Sequence, residues 1–108
     1  MAGFICPYLR GSVEPSPQRE QHIAERHPDL LPEYRDEIPR ALAEPDQVRL
    51  SGRFGRARLF CRWCSHVRQG KHVVVVVVSE RDPQERHWVI TAYMARRLAP
   101  GDVEWERG

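Results

Sequence analysis

Two histidines, a group of arginines and a threonine–tyrosine pair are the residues of this chain whose types and spacing could do chemistry. His22 and His27 lie in one short segment, His22-Ile23-Ala24-Glu25-Arg26-His27-Pro28. Two imidazoles beside one phosphodiester can serve as general base and general acid, the chemistry of RNA cleavage by attack of the 2′-OH. On a helix, His22 and Arg26 are four apart and share a flank next to Ile23, the obvious core residue. His27 falls at the helix end, where the terminal carbonyls favour a cation. Each imidazole at this spacing is equally compatible with a structural or solvated role.

A second set comes from strand alternation. In 56–64, Leu59, Cys61 and Trp63 share one face, and Arg58, Phe60, Arg62 and Cys64 share the other. In 86–95, Trp88, Ile90, Ala92 and Met94 oppose His87, Val89, Thr91 and Tyr93. If the first set of each strand faces a helix-covered core, the opposite face collects Arg58, Arg62, His87, Thr91 and Tyr93. Guanidinium groups bind phosphate through paired donors, and a tyrosine can stack on a base or donate to an oxygen. As ordinary β-formers, Thr91 and Tyr93 also suit any exposed strand face.

Charge distribution agrees with a phosphate-bearing partner. The net charge is only +2, but residues 47–79 carry six arginines and Lys71 with no Asp or Glu. An acid-free basic stretch inside a folded region is the electrostatic footprint of a nucleic-acid partner, or a solvated arginine-rich edge. The same lack of carboxylates leaves a two-metal nuclease site without evident ligands there. Neither a glycine-rich phosphate loop nor Gly-x-Ser-x-Gly is present. Cys61-Arg62-Trp63-Cys64 is a C-x-x-C that, with Cys6 and His66, could supply a Cys₃His zinc site. Strong zinc signals have two close pairs, and on a continuous strand Cys61 and Cys64 point to opposite faces. No cofactor is expected.

The elements that must position these groups are legible in outline. A length of 108 residues fits one domain. Residues 1–15 form an arm or short strand, 16–44 are helical and 47–105 form the sheet. Ser16-Pro17 starts a first helix that ends before Pro28. Pro32 opens a second, with Tyr34, Ile38, Ala41 and Leu42 on one buried face and a kink or break at Pro39. Strands follow at 47–50, 56–64, 71–79, 86–95 and 103–105, with Ser51-Gly52-Arg53-Phe54-Gly55 and Gln69-Gly70 as turns. The six valines of Val73–Val78 lack polar alternation and fit a central strand buried on both sides. The expectation is an α+β domain, with N-terminal helices packed on a four- to five-stranded antiparallel meander. No span or signal peptide is visible, and three cysteines fit a reducing compartment, with the cytoplasm as default.

Taken together, His22-Ile23-x-x-Arg26-His27-Pro28, Ile38, Pro45-Asp46-x-Val48, Val73–Val78 and Trp88-Val89-Ile90-Thr91-Ala92-Tyr93 resemble the pattern of phage and bacterial proteins of the Barnase–EndoU–colicin–RelE nuclease fold. The resemblance runs from about residue 16 to residue 105. It implies a metal-independent endoribonuclease of toxin type, acting on RNA such as tRNA. It places the N-terminal histidine at His22, with Arg26 or His27 nearby, and the strand hydroxyl and phenol at Thr91 and Tyr93. Facing selects Arg62 to hold the phosphate, with Arg58 second, while Arg26, Arg58, Lys71 and His87 would contact RNA. An antitoxin or immunity protein would be the natural partner, and exposed strand edges could pair two subunits. Two alternatives remain: a non-catalytic RNA-binding module on the same sheet face, and a small zinc-stabilised interaction domain.

Overall fold

Six consecutive valines fix the centre of the fold. A computed structural model describes residues 3–14, 17–28, 30, 33–51, 57–67, 70–80, 85–98 and 101–107. Within them the strands are β1 (Phe4–Cys6), β2 (Gly11–Glu14), β3 (Gln47–Ser51), β4 (Arg58–Cys64), β5 (Lys71–Glu80), β6 (Arg86–Ala95) and β7 (Gly101–Glu106), and the helices are α1 (Pro17–Arg26) and α2 (Glu37–Ala43). β5 carries the valines and lies in the middle of one seven-stranded sheet of order β1-β2-β6-β5-β4-β3-β7.

This architecture overturns the expected helices on a four- to five-stranded antiparallel meander. Strand makes up 52% of the described residues and helix 22%, and the sheet is mixed. β3 to β6 pair antiparallel in sequence order, and β7 adds to β3. The departure lies at the other end. Residues 4–14 form a hairpin around a 3-10 turn at Pro7–Leu9, and its second strand pairs parallel with β6 at Val13↔His87 and Glu14↔Trp88. Three-residue strands are too short for alternation to reveal them, and a parallel partner so far along the chain leaves no local signature.

The sheet curls until its two ends meet. Tyr8, in the 3-10 turn at the β1–β2 end, donates its hydroxyl to Glu104 Oε1 of β7 at 2.7 Å, and its ring lies 6.0 Å from that of Trp105. Arg58 Nε donates to the same Glu104 oxygen at 2.7 Å. The two helices are short, and α2 sits on the inner face between β1, β4 and β5. Its buried face, Ile38, Ala41 and Leu42, with Tyr34 packed beside it, is the one the periodicity identified. The helix expected from Pro32, with a kink or break at Pro39, is regular only from Glu37, after turns at 33–36, so Pro39 falls in its first turn instead of its interior. Pro39 is the third residue of α2, where an N–H would have no intrahelical acceptor, so its lack of a donor does no harm. Ser16, Pro32 and the 52–56 turn lie outside the described residues.

Both faces of the sheet bury apolar side chains. Phe60, Cys64, Val73, Val75, Val77, Val89 and Ala92 line the inner face with the helices. Leu59, Cys61, Val74 and Val76 form a second buried cluster on the outer face, joined by Ile90, Tyr93 and Leu98. The facing expected for β4 is therefore reversed. Both of its alternating sets are apolar at their centres, so alternation gives the two faces without saying which one meets the helices. In β6 the register shifts between Val76 and Val77, leaving Ile90 as an extra residue. This bulge moves Ala92 and Met94 to the inner face and leaves Trp88 and Ile90 on the outer one.

Candidate functional site

The face reversal and the bulge redistribute the expected site residues. Arg58 and Arg62 pair across from Val77 and Val73, so both point to the inner side. Arg62 Nη1 donates to the Glu44 carbonyl at 2.9 Å, closing the C-terminal end of α2, and Arg58 is committed to Glu104. Burial works to raise the Glu104 carboxyl, but hydrogen bonds from Tyr8 and Arg58 outweigh it and hold it below its usual value. His87 is also inward, beside Val13, and 7% exposed. Its Nδ1 meets Ser79 Oγ at 2.6 Å and its Nε2 meets Glu85 Oε1 at 3.1 Å, so both ring nitrogens are occupied.

Thr91 and Tyr93 stay together on the outer face, opposite Val76 and Val74. β2 pairs with β6 only at His87 and Trp88, and α1, which follows β2, packs along the remainder of β6. Ile23 anchors the helix in the core. His27, whose N–H extends the helix by donating to the Ile23 carbonyl at 2.7 Å, places its ring 6.0 Å from the Tyr93 ring, tilted by 41°. Of the two helix imidazoles, it is His27 that meets Tyr93. His22 is half-buried on the helix, and its ring makes no hydrogen bond with another described residue. Arg26 is exposed on the last turn beside His27, and Lys71 is half-buried at the start of β5. Burial, and secondarily Cys61, hold the Tyr93 phenol above its ordinary value, so at neutral pH it is an O–H donor.

The four residues of the zinc alternative do not gather. Cys61 lies in the outer cluster, while Cys6 and Cys64 lie in the inner one. Among the described residues no group of three His, Cys, Asp or Glu could hold a metal ion. Cys64 and His66 instead converge on Glu37, the buried first residue of α2. Cys64 Sγ is 3.3 Å from Glu37 Oε1, and His66 Nε2 and Arg40 Nη1 are each 3.2 Å from Oε2. This buried carboxylate, saturated by three partners, fastens α2 to the end of β4.

Sequence reasoning missed one surface feature. Trp63, expected in the core, is 46% exposed on the outer face, with its ring centroid 4.8 Å from that of His72. Burial holds His72 below its ordinary value, against the pull of Asp46. Alternation did pair Trp63 with Cys61, but only the three-dimensional covering of the sheet distinguishes the buried thiol from the exposed indole. No helix among the described residues is long and apolar enough to cross a membrane. No protein-family model matches the chain, and no curated protein or solved structure matches it.

Proposed function

We propose that the chain is a metal-independent endoribonuclease of toxin type, cutting RNA at a site centred on His27 and Tyr93. The observation that carries this reading is the meeting of the His27 and Tyr93 rings at 6.0 Å on the face that also bears Thr91. The resemblance of the His22–Tyr93 pattern to the Barnase–EndoU–colicin–RelE nucleases supports it from the sequence side. In this mechanism His27 takes the proton from the 2′-OH, and the 2′ oxygen bonds to phosphorus. The bond to the 5′ oxygen breaks, and Tyr93 delivers a proton to the leaving oxygen. Arg26 offers positive charge to the phosphate and Thr91 a hydrogen bond to orient it. The products are a 2′,3′-cyclic phosphate and a 5′-OH. RNA is the substrate, and an inhibitory antitoxin is the partner that such a nuclease needs in the cell that makes it.

Incubation of the purified protein with total tRNA in EDTA tests the proposal. Cleavage to cyclic-phosphate ends is expected, with His27→Ala and Tyr93→Phe each slower by about 10²–10⁴-fold. Intact RNA after incubation with wild type, or equal cutting by both variants, would rule it out. One observation favours a second reading, non-catalytic RNA binding on the same outer face. The arginines expected to clamp the phosphate, Arg58 and Arg62, are committed to Glu104 and Glu44 on the inner side. That reading gives salt-sensitive binding with no cut RNA.

A further inference from the structure

Trp63 is a large apolar side chain held rigidly where water can reach it. Its backbone N–H donates to Asp46 Oδ2 at 2.6 Å. Gly70, at φ +101°, lies so close under the ring that a Cβ there would stand 2.3 Å from Trp63 Cζ2. On another side the edge of His72 meets the indole at 64°. Gly70 supplies both a backbone angle that L-residues rarely adopt and the space for the ring. The ring is thus braced by backbone and imidazole, yet 46% of the residue remains exposed.

The surroundings of this ring are basic. Trp63 pairs with His72, and His72 pairs with Ala95, the last residue of β6. Arg96 and Arg97 follow immediately and are exposed. The side chains of Arg96 and Arg97 make no ion pair or hydrogen bond with another described residue. The carboxylate beside the ring, Asp46, already accepts the Trp63 N–H. Tyr93 lies in the neighbouring row of the same face, paired through Val74 to Cys61. Strand spacing and rise put Trp63 and Tyr93 about 12 Å apart, a gap that a short extended oligonucleotide bridges.

We propose that Trp63 is a base-stacking subsite for single-stranded RNA, with Arg96 and Arg97 holding the adjoining phosphates. The inference deepens the reading of the outer face as an RNA surface and rests on it. Aromatic faces accept every base, so the subsite adds affinity and sets where the strand lies relative to His27 and Tyr93, without selecting a sequence.

The test uses a short single-stranded RNA with 2′-O-methyl riboses, which cannot be cut, so binding is read apart from cleavage. RNA should shield Trp63 from acrylamide quenching in the wild-type chain, read as the part of the signal that a Trp63 variant lacks, since Trp88 and Trp105 also fluoresce. Trp63→Ala should weaken binding roughly 5- to 100-fold, while Trp63→Phe, which keeps an aromatic face, retains most of it. Replacing Arg96 and Arg97 by Gln should flatten the dependence of log K on log salt by about 0.7 per lost contact. Should Trp63→Ala prove misfolded by circular dichroism, Trp63→Leu and the shielding of the wild-type indole decide the matter. Unchanged RNA affinity in a folded Trp63 variant, or an unshielded indole in the complex, overturns the subsite, leaves the nuclease reading standing and gives this face to a protein partner. Absence of any RNA binding by wild type overturns both.

Discussion

Three thiols in one small chain would be a liability if they were reactive, and here all three are enclosed. Cys6, Cys61 and Cys64 are all free and buried. Burial pushes Cys61 and Cys64 up to about 11, and it raises Cys6 as well. At pH 8 the native protein should therefore react slowly with iodoacetamide, and all three thiols should react at once in denaturant. Fast labelling of the native chain would show that the thiols are not enclosed as described. The same shifts have a sign for stability. A thiol whose folded value lies above its unfolded value of 9 contributes fully below pH 9 and loses that contribution as pH rises through 11. Tyr8, pushed up to about 12 by burial and by Glu104, extends the loss further into alkali. His72 acts at the other end: held below 6.5, it favours the folded chain above that value and withdraws its support as pH falls. Denaturation midpoints should thus fall above pH 9 and, more modestly, below pH 6.5. At this scale the sequence was informative about residue type and weak about environment. It identified His27, Thr91 and Tyr93 as candidates, and it put His22 ahead of His27 because helix spacing alone cannot say which imidazole reaches the sheet.

Between elements, the tightest fastening is at Glu37. It is 4% exposed and accepts from Cys64, His66 and Arg40 while opening α2. Glu37→Ala should lower stability by about 2 kcal/mol, because the partners lose a charged acceptor and a small void opens. Urea denaturation measures this, and a loss below a few tenths of a kcal/mol would mean the carboxylate is not holding α2. The elements themselves were unevenly legible. α2's buried face and the ends of β5 and β6 followed from a 3.6-residue period and from a valine run bounded by turn residues. Which face of β4 meets the helices did not follow, since Leu59 and Cys61 are as apolar as Phe60 and Cys64. The bulge at Ile90 was invisible too, because an inserted residue leaves the composition of a strand unchanged. The first error placed the arginines beside Tyr93 and the second placed His87 there, whereas the sheet separates all three from it by its own thickness.

At the scale of the molecule, closure rests on one polar junction. Tyr8 and Arg58 share a single oxygen of Glu104, and Tyr8 also packs edge-on to Phe60 at 5.9 Å. Tyr8→Phe keeps the ring contacts and removes only the hydroxyl, so a stability loss of about 1–2 kcal/mol is expected for a hydrogen bond to a charged acceptor. Hydrogen exchange in β7 should quicken in the same variant, and an unchanged β7 would show that the junction does not hold the sheet closed. None of this was available from local pattern, because the partners are 96 residues apart in sequence. The parallel pairing of β2 with β6 has a consequence for biosynthesis. A ribosome releases residues 4–14 well before β6, their neighbour in the sheet beyond their own hairpin. The nascent chain must carry a homeless hairpin, with Cys6 and Val13 bare, until β6 emerges. Chains stalled before residue 86 should accordingly be chaperone clients or protease substrates, and any chemistry on the outer face is withheld until β6 has joined the sheet.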